Sequence, residues 1–538
     1  MALNVPGLIA VIIFYSITLA TGMWAAWKAK KSEKGKNKTE VAIVGGRNLN
    51  MFVGLFTTTA TWVGGAYING TAEIVYMPSR GLAWVHAPLG FAATFFIGGL
   101  FFVKPMRSKN YVTMMDPLQE AFGNTMGSIL FIPPLLGDIF WFASILASLG
   151  ATVSVILDVK GYLSIIISAC TVILYTLLGG LYSVAYTDVI QLLFMIVTLW
   201  ICVPFALLNS ASENIAYTAV HELYQAPWIG KIHTEYIGRW LDDLAYLSLG
   251  GIAWQIYFQR ILAASSTKQA MVTSYLSGVL CAVMGVPSIL IGAAAASTDW
   301  NQTNYGLPTP NERNESNMIL PLVLQHLCPT YVSVAGLGAI AAAVMSSADS
   351  SLLSASSMFA YNIYKKLLRK KASDREVIWI MRLSMVLLGS AGMGLAFLSN
   401  SVYDLWFLSG ELVYSLLFPQ LCSALFIAGT NAYGSAAGFF LGFILRLFGG
   451  ENSLKIPPLI HYPGCTLVDG VYVQLFPFKT FTMLVSLITI VVISYSAQFL
   501  FMKNVLPIHW DVCNIFRKEP VPLVQHELEE KVTLQPNS

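Results

Sequence analysis

Charge is what this sequence has least of. Of its 538 residues, 31 are Lys or Arg and 28 are Asp or Glu, so charged side chains make up 11%, where a soluble domain carries about a quarter. With 56% hydrophobic residues, that excludes an ordinary soluble domain, and a net charge of +3 gives no reason to expect a nucleic-acid partner. Cysteine is scarce and odd in number, seven in all and mostly within apolar runs, so no disulfide framework is implied; Cys465 and Cys328 face outside and could pair. Catalytic signatures are missing. No GxxxxGK[ST] loop is present, which excludes an ATP-driven pump carried on this chain. His221-Glu222-Leu223-Tyr224-Gln225 lacks the second histidine of a zinc protease, and no GxSxG elbow occurs, so the chain is not expected to be an enzyme. Met1 to Leu8 lacks a basic n-region, and the first apolar stretch reads as a retained helix.

What is present is a succession of apolar runs of bilayer length, without the alternation of a β-barrel. They predict an all-α membrane protein with 13 transmembrane helices, near 6–27, 49–70, 82–103, 125–149, 161–181, 189–208, 238–258, 271–296, 319–345, 377–398, 402–421, 423–447 and 480–502. Seven basic residues lie between Lys28 and Arg47, three between Lys104 and Lys109, and six between Lys365 and Arg375. Cytoplasmic loops collect Lys and Arg, and with an odd span count these three loops share one side only if the N-terminus is extracellular and the C-terminus cytoplasmic. The sequons at Asn301 and Asn314 then fall in one extracellular loop and are candidate glycosylation sites, while those at Asn37 and Asn69 fall inside or within a span. The tail from Lys503 is polar, with an acidic-apolar run from Leu523 to Glu530 that could carry a sorting signal.

Polar groups at membrane depth are costly, and where they cluster on a helix they mark an ion or substrate path. Between Ala341 and Ser357 stand seven serines and Asp349, with Ser346, Ser350, Ser354 and Ser357 on one helical face. Serines in membrane helices also bond their own backbone or join neighbouring helices, but seven beside an acid point to an ion. Two spans carry a Gly-Gly pair beside a tryptophan, Thr57-Thr58-Thr59-Ala60-Thr61-Trp62-Val63-Gly64-Gly65 and Gly250-Gly251-Ile252-Ala253-Trp254. Paired breaks at matching places in two halves are a transporter pattern. They lie five spans apart, which makes the two halves inverted. Gly434, Gly438 and Gly442 read instead as helix-packing positions. A channel or a transport-dead sensor stays open on composition.

Gly45-Gly46-Arg47-Asn48-Leu49, Gly179 to Gln191 with Tyr186-Thr187-Asp188, Gln259-Arg260-Ile261-Leu262 and the serine run resemble the sodium/solute symporter family over about 500 residues. Ala60 to Gly65, Met345 to Ser351 and Tyr111-Val112-Thr113-Met114 look most like its choline carriers. The resemblance implies a leucine-transporter-type core of two inverted five-helix repeats. It divides the chain into 1–48 (first helix and basic loop), 49–208 (repeat one), 209–237 (extracellular loop), 238–421 (repeat two), 422–502 (two flanking helices) and 503–538 (cytoplasmic tail). It implies co-transported Na+ held by the Ala343 carbonyl, Ser346 and Ser347 with carbonyls near Gly54 and Thr57. Asp349 is a candidate for a second sodium, and Asp188 lies where the family has an ion-linked acid. Cl- dependence is implied too, as are a plasma-membrane location including presynaptic membrane and synaptic vesicles, a homo-oligomer and trafficking adaptors on the tail.

Fold does not name the solute. A quaternary ammonium donates no N–H bond and is held by aromatic faces, each contributing about 0.5 to 2 kcal/mol. Trp62 and Trp254 flank the breaks, Trp141 and Trp406 sit at similar depth, and Asp242 stands where it could attract a cation or form part of an outer gate. Choline or a similar quaternary amine is the expected substrate; a monocarboxylate would want a midplane Arg or Lys. Each sodium moving down the membrane potential contributes about 2.3 kcal/mol per 100 mV to uphill import.

Overall fold

The computed structural model describes residues 5–32, 38–157, 161–177, 180–397, 402–451, 456–468, 470–513 and 515–516. Asn37, Gly179 and the run from Leu523 to Glu530 lie outside the described residues.

The protein is predominantly helical. The first half contains α1 (Val5–Ser32), α2 (Met51–Trp62), α3 (Gly65–Tyr76), α4 (Leu82–Ser108), α5 (Ile132–Leu157), α6 (Gly161–Thr176) and α7 (Leu181–Leu207). The second contains α8 (Ile237–Leu249), α9 (Gln255–Ala263), α10 (Thr267–Ala296), α11 (Ile319–Leu327), α12 (Thr330–Met358), α13 (Asp374–Ala396), α14 (Val402–Leu412) and α15 (Phe418–Phe426). After these come α16 (Ala432–Phe448) and α17 (Phe478–Met502), joined through an exposed antiparallel hairpin of β1 (Thr466–Val468) and β2 (Val471–Val473) with Leu467 opposite Tyr472.

Among the described residues eight helices are long and apolar enough to cross a membrane, or nine with the pair α2–α3 taken as one. Of the remaining apolar runs, 161–181 and 423–447 carry helices of 16 and 17 residues, 238–258 is divided between α8 and α9, and 6–27 lies within α1. The pair α2–α3 bends by 49° at Val63-Gly64, and a 3-10 turn at Gly250–Ala253 parts α8 from α9. The apolar run at 319–345 is not one helix: α11 stops at Cys328, and Pro329, lacking an N–H, opens α12 instead of continuing α11. From Met358 the helix continues with π-type bonding to Leu368.

α12 is the central post. Its apolar window is 83% buried, against 28% for α17 at the rim, and it packs on α1, α5, α7 and α13. A helix made largely of Ala, Ser and Gly lets neighbours come close on every side. The glycines of α16 do the same for α17, since a Cβ on Gly438 would lie 2.4 Å from Ile490. The cysteines are free thiols, so Cys328 and Cys465 do not pair; Cys328 sits at the α11–α12 junction with its Sγ 3.9 Å from the Cys202 carbonyl of α7.

Candidate functional site

The break between α2 and α3 exists because Gly64 has no side chain. A Cβ there would meet Ser347 Oγ at 1.8 Å, so only glycine lets the break press against α12. Ser347 uses the gap to donate to the Thr61 carbonyl at 3.0 Å, in the last turn of α2, where carbonyls have no following helical N–H. The Ala343 carbonyl lies one helical turn before Ser347, close to the same glycine.

Ser346 points the other way around α12, to α7, and donates to Asp188 Oδ1 at 2.5 Å, while Thr57 donates to Asp188 Oδ2 at 2.5 Å. Thr61 Oγ1 donates to the Thr57 carbonyl at 2.7 Å and meets Ser350 Oγ at 3.1 Å. The guanidinium of Arg260, from α9, donates to Ser350 and stands 4.0 Å from Asp188. All of these side chains are buried. Hydroxyls and carbonyls converge here with one carboxylate, a hard-oxygen donor set of the kind a group-one cation takes.

Thr57, Ala343, Ser346 and Ser347 are thus brought together around the α2–α3 break. The open face of Gly54 is toward α10, where a Cβ would sit 3.7 Å from Thr273, and the carbonyl that Ser347 reaches at the corner is that of Thr61. Asp349, expected at a second sodium site, accepts from Thr176 of α6 at 2.6 Å.

On the other side of the same break the tryptophans meet. Trp62 and Trp141 pack edge to face with centroids 5.8 Å apart, Trp141 and Trp254 at 4.5 Å, Trp62 and Phe91 at 4.6 Å, and Phe91 and Trp406 at 5.6 Å. Trp62, Phe91, Tyr246, Trp254 and Trp406 line a void of about 10 Å³, room for roughly one water. Trp141 stands behind the void as a buttress between Trp62 and Trp254. Trp254 donates its indole N–H to Asp138 Oδ1 at 2.7 Å, and Ser354 Oγ lies 3.3 Å from Asp138 Oδ2. The box is therefore aromatic in its walls and acidic behind them, and among the described residues no basic side chain lines it.

Asp242 is not in the box. Its carboxylate accepts from the backbone N–H groups of Lys479 at 3.0 Å and Thr480 at 2.7 Å, which ties α8 to the N-terminus of α17. It lines a vestibule of about 580 Å³ with Asp243, Phe407, Glu411 and Lys479. Ser79 and Arg80 also line it, just past Tyr76, whose hydroxyl meets the Asn311 N–H in the loop that carries both sequons. Asn301 and Asn314 are exposed in that loop, whereas Asn69 is buried.

Asp138, Phe91 and Lys479 were not anticipated. Asp138 had a signal: an acid inside an apolar run, one helical turn before Trp141. Phe91 had none, being one phenylalanine among 30.

A profile of the "Sodium:solute symporter family" matches residues 43–442, three quarters of the chain and every residue of the serine corner and the tryptophan box. The chain belongs to the sodium:solute symporter family. This symporter is 55% identical over 513 residues to the human "High affinity choline transporter 1", covering 95% of this chain and 88% of that protein. It is 45% identical over 510 residues to the Drosophila melanogaster "High-affinity choline transporter 1", covering 95% and 81%. The Haemophilus influenzae "Sodium/proline symporter" is 26% identical over 456 residues, covering 81% and 86%. In fold the symporter is similar to a sodium-coupled sialic acid symporter of solved structure, with a TM-score of 0.71 at 16% identity, covering 91% of this chain and 97% of that one. The family and these relatives are transporters, and the protein is a multi-pass membrane transporter.

Proposed function

We propose that this symporter imports choline across the plasma membrane, driven by sodium and dependent on chloride, by alternating access, and so supplies acetylcholine synthesis at the presynaptic membrane. The observation that carries the substrate is the box: aromatic faces from both helix breaks, an acid behind one of them and no basic lining group. Such walls suit a quaternary ammonium and oppose a monocarboxylate, which would face Asp138 without a cation to pair with. The human and Drosophila relatives of that name support the same solute.

In this reading the thirteen apolar runs are thirteen spans, with repeats at 49–208 and 238–421 whose leading helices are the two broken ones. The N-terminus and the sequon loop are extracellular, Asn301 and Asn314 are glycosylated, and the tail recruits trafficking adaptors in a protein that forms homo-oligomers and cycles through synaptic vesicles. Sodium binds between the Thr61 and Ala343 carbonyls and Ser347, with Ser346, Thr57 and Asp188 as a second shell of oxygens or a second site. Sodium draws the α2–α3 break onto α12. Choline spreads the closed tryptophans, and rocking of the repeats turns the site inward.

The test is radiolabelled choline uptake in cells, with sodium or chloride replaced in turn, for the parent and for Ser346→Ala/Ser347→Ala at matched surface protein. Expected are sodium- and chloride-dependent uptake and a rise of about tenfold in the sodium concentration for half-maximal uptake, one lost charge-assisted or ion-dipole contact. Uptake that ignores sodium, or a variant with unaltered sodium dependence, contradicts the reading.

A further inference from the structure

Lys479 belongs to α17, outside both proposed repeats, yet its side chain reaches into the mouth above the tryptophan box. Its ammonium donates to Asp243 Oδ1 at 2.7 Å and pairs with Glu411, and its own backbone N–H is taken by Asp242. Two ring faces complete the surroundings, Tyr246 at 5.0 Å and Phe407 at 5.8 Å from the nitrogen, packed edge to face on each other. Aromatic faces with carboxylates behind them are the recognition chemistry of an organic ammonium. Here the chain supplies the ammonium itself.

The cage and the box share a wall. Tyr246 faces Lys479 and also lines the void below, and Glu411 follows Gly410, which lines the same void. A Cβ on Gly410 would lie 2.9 Å from the Tyr246 ring, so floor and ceiling touch with nothing between them. Lys479 thus lines the vestibule on one side and covers, on the other, the Tyr246 ring that walls the void.

The other charges around the cage fix what can replace it. Glu411 also accepts from Arg446, which is shared with Glu451, while His86 and Arg239 face Asp243. Withdrawing the ammonium alone would leave Asp243 and Glu411 buried with one positive partner fewer, and breaking a buried pair by removing one partner is strongly unfavourable. Exchange for another monovalent cation keeps the balance. A neutral or anionic solute cannot make that exchange. A quaternary ammonium regains the ring contacts but not the N–H bonds, so it is held less well than Lys479 and moves on.

We propose that this cage is an outer transit site for the organic cation, and that Lys479 is a tethered ammonium which substrate displaces on its way in and which reseals the mouth behind it. The proposal rests on choline, or another quaternary amine, being the solute.

Saturation uptake of radiolabelled choline is compared for the full-length parent, Lys479→Arg, Lys479→Met and Lys479→Met/Glu411→Gln at equal surface protein. With the competitor gone, KM falls about three- to tenfold, within what one cation–π site contributes, while the maximal rate falls by a larger factor because the mouth no longer reseals. The Arg variant keeps the parent KM within about twofold, since its guanidinium retains both pairs and the ring contacts. The double variant, which removes one charge of each sign, also shows a fall in KM, a smaller one because only Asp243 remains behind the rings, and decides the matter if Lys479→Met does not reach the surface. An unchanged or raised KM in the Met variants overturns the proposal and leaves Lys479 a structural peg. On the parent protein, external choline raises acylation of Lys479 by a membrane-impermeant amine reagent, read by peptide mass spectrometry; equal labelling with and without choline also overturns it. Absence of choline uptake by the parent sinks the underlying reading, whereas normal parent uptake with an unmoved KM in the variants sinks the gate alone.

Discussion

Trp62 and Trp254 both present ring faces to the void, but they are held differently, and replacing each by phenylalanine separates the two sources of affinity. Trp62 Nε1 has no hydrogen-bond partner among the described residues, so Trp62→Phe exchanges a stronger ring for a weaker one without losing a hydrogen bond. That difference is about 0.5 to 1 kcal/mol, a rise in choline KM of roughly two- to fivefold. Trp254→Phe loses the same ring strength and also the indole N–H that Asp138 accepts at 2.7 Å. The unsatisfied acceptor lowers the stability of the protein by about 1 to 3 kcal/mol, and the phenylalanine ring, no longer held by Asp138, raises KM by more than Trp62→Phe does. The assay is sodium-dependent uptake over a range of choline concentrations, normalised to surface-biotinylated protein. Asp138→Asn closes the cycle, because its amide oxygen still accepts from Trp254; once Trp254 is phenylalanine, the same change adds less than it does in the parent. Equal KM values for the two phenylalanine variants, or strict additivity with Asp138→Asn, would refute the claim that Asp138 positions Trp254.

Two further outcomes are expected. Gly64→Ala places a Cβ where Ser347 Oγ now sits, so it should abolish sodium-dependent uptake, and Ser347→Gly added to it should restore surface protein but not the parent's sodium affinity; uptake by Gly64→Ala at the parent level would contradict the close approach. Asn301→Gln and Asn314→Gln, both in the exposed loop, should each remove one glycan-sized step in electrophoretic mobility, checked by glycosidase digestion; a double variant migrating like the parent would place that loop away from the glycosylating side.

The breaks were legible because glycine pairs beside tryptophan have few uses inside an apolar run, and both fall where the structure bends or winds tightly. The serines were legible as an ion-facing helix, though not face by face: Ser346 and Ser347 are neighbours in sequence yet serve different helices, α7 and α2. Periodicity cannot show that, because a post buried on all sides has no single inner face. Carbonyl donors are harder to single out for a related reason. Every residue has a carbonyl, so only the position of the break, at Val63-Gly64, selects Thr61 over Gly54. The acid at 349 was grouped with the serines by proximity along the helix, but one residue is 100° around it, enough to turn a side chain to another neighbour. Lys479 was beyond reach from sequence, since nothing in α17 tells which helix its first turn meets.

The break in α2 sets two adjacent residues to different tasks: Thr61 turns its carbonyl to Ser347 of α12, and Trp62 turns its ring into the aromatic box. One peptide bond therefore separates the proposed ion site from the proposed solute site, and neither can shift without moving the other. Thermodynamic linkage makes such an arrangement reciprocal. If sodium raises the affinity for choline by some factor, choline must raise the affinity for sodium by the same factor, and the size of that factor is set by how stiffly two neighbouring residues are joined.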